Sequence, residues 1–295
     1  MKKNSIKTPL PLRIISWTFP KVEFLVPWLA QRWFVNIFFS TAKYKLPYGE
    51  VEAAEQANKY KIDFDGKAIQ VYEWGEGNPV LMVHGWMGRG TQFRKFISSY
   101  NEAGYKVVSF DATGHGQSEG KTSHILEFAK IIELLNEKYR GFEMIVGHSL
   151  GGVSAMHSVI NGVGTDKLVM ISSPTIGSEI VKEFRKKIRA SERMVPYFES
   201  YIEQKFGKAF EEFSAEYVID QLKPMELLLI YDEDDEEVSS KHPEAIIRKY
   251  PTAQYMKTQG LGHTRILKDG IVIKRTLDHL KQNIDESAQY EHAMP

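Results

Sequence analysis

Short apolar runs recur along this chain, separated by longer stretches whose apolar residues return at helical spacing. Residues 79–83, 106–110, 143–146, 167–171, 225–231 and 253–257 are strand-length and bounded by glycine or polar turns, as buried strands are. Between them, the pattern predicts helices at about 91–103, 123–139, 150–161 and 269–283. Strand and helix taking turns in this way is the signature of a mostly parallel, doubly wound α/β sheet. Residues 61–64 and 68–74 flank Asp65-Gly66, which predicts an opening hairpin on a primed turn.

Two segments fall outside that alternation. Residues 1–60 form an apolar, helical N-terminal extension whose densest part, Phe24 to Phe39, is interrupted by Pro27, Gln31, Arg32 and Asn36 below the length of a membrane span. Lys7 and Arg13 interrupt its approach and no small-residue cleavage site follows, so it does not read as a signal peptide. Three readings are open for it: a helix packed on the core or over its entrance, an interfacial membrane helix, or an oligomer contact. The second segment, 174–223, carries Ile180, Val181, Phe184 and Ile188 at helical spacing and then a run of aromatic residues from Tyr197 to Tyr217.

Composition narrows the class. At 295 residues, 42% hydrophobic and 26% charged, the chain can bury a large core. Its 38 basic and 38 acidic residues cancel, which argues against a nucleic-acid or polyanion partner. With no cysteine it has neither disulfides nor a thiol nucleophile.

The chemistry concentrates at Gly147-His148-Ser149-Leu150-Gly151. A strand-length apolar run precedes it and a small-residue helix, Gly152-Val153-Ser154-Ala155-Met156, follows it. That is what a nucleophile elbow needs: a serine on a sharp strand-to-helix turn, with glycines two residues away leaving room for the crossing elements. Upstream, the strand at 79–83 empties into His84-Gly85-Trp86-Met87-Gly88, and the strand at 106–110 into Asp111-Ala112-Thr113-Gly114-His115-Gly116-Gln117-Ser118.

Taken in order, His-Gly-Trp, Asp-x-x-Gly-x-Gly-x-Ser and Gly-His-Ser-Leu-Gly-Gly resemble the α/β-hydrolase family over about residues 61–282. The resemblance implies a core of residues 61–173 and 224–290, with 174–223 as a small helical cap. It implies backbone N–H groups of Trp86 and Leu150 as oxyanion donors, and a triad in the chain order serine, acid, histidine. His84, His115, His124, His148 and His157 come too early for that order, and His242, His279 and His292 fall in predicted helices or the tail. His263, in the glycine-bracketed loop Gly260-Leu261-Gly262-His263 after the last strand, remains. Similar proteins commonly read Gly-x-x-Asp-x-x-Val after the preceding strand; Asp235 and Val238 fit that frame, with Asp234 as rival and Asp232 standing in place of the glycine.

The implied chemistry is attack by Ser149 on an acyl carbon, with His263 as base, Asp235 as its orienting acid and water releasing the acyl-enzyme. A carboxylic ester, small or lipid-like and apolar, is the expected substrate. A thioesterase or acyltransferase on the same triad, or a non-catalytic binding protein of this fold, are the alternatives. No cofactor is expected, and no metal, since the acids at 232–237 lack a regular alternation of ligand positions. The expected location is cytoplasmic, with residues 24–39 a candidate for peripheral membrane contact, and the oligomeric state is left open.

Overall fold

A computed structural model describes residues 10–282. Its centre is an eight-stranded sheet formed by β1 (Asn58–Phe64), β2 (Lys67–Trp74), β3 (Asn78–Val83), β4 (Tyr105–Phe110), β5 (Met144–His148), β6 (Lys167–Ile171), β7 (Glu226–Asp232) and β8 (Gln254–Thr258). The spatial order is β1-β2-β4-β3-β5-β6-β7-β8, with β2 antiparallel to both neighbours and every later pair parallel. The chain order reverses around β3, so β3 and β5 lie side by side, at the kind of switch point where open α/β sheets bind their ligands. The opening hairpin forms as the sequence predicts: Asp65 and Gly66 both take positive φ and Phe64 pairs with Lys67.

Helices α4 (Arg94–Glu102), α5 (Ile125–Tyr139), α6 (Leu150–Ile160), α10 (Lys241–Lys249) and α12 (Gly270–Lys281) cover the sheet. Strands β5 and β6 are buried at every position, which is why their sequences are continuous apolar runs rather than alternations. One apolar cluster packs Leu81, Ile145 and Leu168 under α5 and α6; the other packs Met82, Val146 and Ile230 under α4 and α12. Each buried aliphatic side chain contributes about 1.5–3 kcal/mol. Lys167 ties the last helix to β6 by donating to the carbonyls of His279 and Leu280, orphaned at a helix C-terminus.

The predicted boundaries shift in three places. Strand β1 begins at Asn58, so the extension gives way to the sheet before residue 60; its first residues are polar and exposed, as an edge strand permits. A 3-10 turn, Gly90–Phe93, precedes α4 in place of a helix from residue 91. The last helix ends at Lys281, and residues 283–290 of the expected core lie outside the described residues.

The N-terminal extension is α1 (Leu10–Leu25), α2 (Pro27–Phe39) and α3 (Tyr48–Gln56), with Pro27 at the first turn of α2, where its missing N–H costs nothing. The segment between β6 and β7 carries α7 (Gly177–Ile188), α8 (Met194–Phe206) and α9 (Ala215–Val218). Its aromatic residues pack mainly against the extension. Phe34 meets Phe184 and Phe198, and Phe38 meets Phe198 at 4.6 Å between ring centres. Together with Phe19, Ala30, Val181 and Ile202 these rings form a third core, separate from the two flanking the sheet. No helix among the described residues is long and apolar enough to cross a membrane.

Candidate active site

Strand β5 delivers Ser149 onto a backbone of φ 53° and ψ −126°, a region that side-chain-bearing residues avoid. The surroundings hold it there: the Ser149 N–H donates to Ile171 O at 2.9 Å, and the serine carbonyl accepts from Gly152 N–H. A Cβ at Gly147 would lie 2.3 Å from Gly152 Cα, and one at Gly151 would lie 2.2 Å from Val83 O. Both glycines are thus required for helix and sheet to approach at the turn. Ser149 immediately precedes α6, whose N-terminal dipole favours negative charge beside it.

The loop after β3 presses against this turn from the side. A Cβ on Gly85 would come within 2.7 Å of Ser149 Cβ, which puts the backbone at Gly85-Trp86 next to the serine. His84 is fully buried and organises the loop: its Nε2 accepts from Ala112 N–H at 3.0 Å and its Nδ1–H faces Gly85 O at 2.7 Å. Burial lowers its pKa to about 4, so the ring is neutral near pH 7, as that pair of contacts requires. Asp111 is the second organiser. Its carboxylate accepts from Gly90 N–H, Gln117 N–H and the Tyr72 hydroxyl, joining the loops after β3 and β4. Among the described residues, neither Trp86 N–H nor Leu150 N–H donates to a backbone carbonyl outside the regular elements.

Asp235 and His263 are brought together. Asp235 Oδ2 lies 2.8 Å from His263 Nδ1, while its Oδ1 accepts from Glu237 and Val238 N–H groups. Burial alone would raise the Asp235 pKa; the His263 contact and the two amides outweigh it and hold the carboxyl below the ordinary range. Asp234 is exposed and turns instead to Gly260 N–H. His263 sits in the one-turn helix α11 (Gly262–Arg265) rather than in an irregular loop. A hydrogen bond between Ser149 Oγ and His263 Nε2 is not among the contacts of this structure; His148 supplies the link. Its Nε2–H donates to His263 O at 2.8 Å and the two rings stand 4.8 Å apart, so the residue before the serine touches the histidine directly.

Two positioning residues escape a reading by motif. His148 is set aside by chain order, yet its buried ring, with a pKa lowered to about 3 first by burial and then by His263, is a neutral prop beneath the histidine. Asp232 stands where a glycine is expected, and its carboxylate accepts from Asp234 N–H, Leu261 N–H, Gly262 N–H and the Thr258 hydroxyl. It fastens the end of β7 to the turn that carries His263. Burial opposes its charge, but these four donors prevail and its pKa is lowered. An acid at the end of the strand is the only signal the sequence offers.

A strained serine between strand and helix, a backbone loop abutting it and an acid–histidine pair at the next strand ends define a hydrolase of the α/β class. The profile of the family described as serine aminopeptidase, S33, matches residues 78–257, and the chain belongs to that family. It is 30% identical over 92 residues to the non-heme chloroperoxidase CPO-A1 of Kitasatospora aureofaciens, covering 30% of this chain and only 33% of that protein. The uncharacterized protein YqkD of Bacillus subtilis (strain 168) is 23% identical over 240 residues, 77% of this chain and 78% of the other. Among solved structures, a putative lipase from Acinetobacter baumannii AYE superposes with a TM-score of 0.61 at 14% identity, over 81% of this chain and 98% of that one. At that identity the likeness is one of fold.

Proposed function

We propose that this protein is a serine hydrolase that cleaves carboxylic esters through an acyl-enzyme on Ser149. The observation that carries the reading is the strained Ser149 backbone at the head of α6, with the Asp235–His263 pair held beside it through His148. Ser149 Oγ attacks the acyl carbon, His263 takes its proton and returns it to the departing alcohol, and Asp235 keeps the imidazole in the tautomer that does so. Trp86 and Leu150 N–H groups receive the oxyanion; loss of one such donor typically costs about 10²–10³ in turnover.

The reading takes an ester rather than an aminoacyl peptide as the substrate. Of the acids at the site, Asp232 is committed to the His263 turn and Asp235 to the imidazole, so neither is left to receive a free α-amino group. The expected substrate is uncharged and apolar at its acyl end.

The test is labelling of the purified protein with a fluorophosphonate, followed by turnover of p-nitrophenyl esters of increasing acyl length beside aminoacyl p-nitroanilides. Labelling that disappears in Ser149→Ala and His263→Ala, with ester turnover and no anilide turnover, is the expected result. A folded wild type that takes no label, or one that prefers the anilides, overturns the reading.

A further inference from the structure

The α1–α2 hairpin is apolar on two sides, and only one of them is packed. Leu12, Ile15, Phe19 and Val22 face the third core. On the opposite side, Leu10, Ile14, Trp17, Lys21, Phe24 and Leu25 fall within one stripe of roughly 120° at 3.6 residues per turn. All six are exposed, Phe24 at 85% and Trp17 at 64%. Trp28 continues the surface onto α2 at 60% exposure. Beside it runs a groove of about 620 Å³ walled by Trp28, Leu29 and Trp33, with Arg32 on its lining. A helix with both faces apolar has a second apolar environment to meet.

The charges say which environment. Residues 1–43 hold seven Lys or Arg and one acid, Glu23, in a chain whose charges cancel only as a whole, so the basic surplus here is matched by an acidic surplus in the rest of the chain. That one acid is turned away from the stripe: its carboxylate accepts from the N–H and hydroxyl of Ser191 at the start of α8's approach. Arg13, Lys21 and Arg32 are exposed on the outward side, and Lys21 Nζ sits over the Trp17 ring. Tryptophan and aliphatic side chains interleaved with cations, without a carboxylate, suit the boundary between acyl chains and anionic headgroups. A second copy of the chain would set these cations against their own like.

We infer that the α1–α2 hairpin docks on a lipid bilayer carrying anionic headgroups. The hairpin is joined to the site: in the segment after α2, Tyr44 donates to Met87 O and Thr41 to Gly114 O, in the loops that organise the Ser149 turn. A docked hairpin therefore holds the hydrolase core at the membrane surface. The inference does not rest on the ester reading, because binding is scored without turnover.

The experiment is cosedimentation of the full-length protein with phosphatidylcholine vesicles and with mixed phosphatidylcholine–phosphatidylglycerol vesicles, together with tryptophan emission. Binding to the mixed vesicles with a blue shift is expected. The double variant Arg13→Glu/Lys21→Glu should lose about tenfold or more in affinity, at about 1 kcal/mol per basic residue near such a surface. Phe24→Glu should lose the blue shift; both sets of residues are exposed, so folding and fluorophosphonate labelling should match wild type. No binding to mixed vesicles, or binding unchanged in both variants, overturns the proposal. So does a vesicle-free dimer that Phe24→Glu dissociates, which would assign the stripe to a second copy.

Discussion

At the C-terminal edge of the sheet, the three buried carboxylates have assigned partners: Asp111 receives three donors, Asp232 four, and Asp235 two amides and an imidazole. Between the α1–α2 hairpin and α7–α8, rings meet rings instead, Phe34 against Phe184 and Phe38 against Phe198 and Phe210. The first region is directional, so a single atom in the wrong place leaves a buried group unsatisfied. The second is held by area and shape, so neighbouring apolar residues can exchange with repacking. The proposed chemistry belongs to the directional region, and the helices proposed to attach to a membrane belong to the other.

The sharpest way to break this contrast is Asp235→Asn. The substitution keeps the side chain's shape but reverses the donor–acceptor pairing with His263 Nδ1, and ester turnover is expected to fall about 10³–10⁴-fold. Steady-state kinetics with a p-nitrophenyl ester checks it; retention of a tenth of the activity would remove Asp235 from the mechanism. Next in size is Phe34→Ala, expected to cost about 3–5 kcal/mol in the aromatic core. Calorimetry should show an early transition from the hairpin and insertion while Ser149 still takes label. One shifted transition, with labelling lost in step, would mean that the two regions melt as a unit.

The finest probe is Asp232→Asn, which should weaken the fastening of the His263 turn by about 1.5–3 kcal/mol. Because the folded-state pKa of Asp232 lies below its ordinary value, its contribution is complete above the ordinary carboxylate range and disappears as pH falls through the lowered value. Wild-type melting temperature should therefore drop on acidification by more than that of the variant, which starts lower. Equal pH slopes in the two proteins would show that the carboxylate charge does not hold the turn.

What could be read from the residues follows the same division. The elbow was legible because few residues tolerate its backbone: glycine at 147 and 151 is dictated by approaches of 2.2–2.3 Å that any side chain would block. The parallel strands were legible because burial on both faces leaves unbroken apolar runs. The fastening role of Asp232 was not, since it depends on N–H groups some thirty positions later arriving from another strand end. Nor was the start of β1, an edge strand whose Asn58 and Lys59 carry no apolar alternation. The partner of Phe24 to Phe39 was equally hidden. An apolar helix has one periodicity whether it meets aromatic rings or lipid, and only the positions of Phe198 and Glu23 separate its inner side from its outer one.

The contact between Glu23 and Ser191 joins positions 168 residues apart. During synthesis at about 5–20 residues per second, the hairpin leaves the ribosome on the order of ten seconds before the helices that bury its inner face exist. Throughout that interval Phe19, Phe34 and Phe38 have no place in the fold to go. The α1–α2 hairpin is thus a stretch of the nascent chain that needs shelter until α7 and α8 emerge, with β7, β8 and the helices after them still to follow.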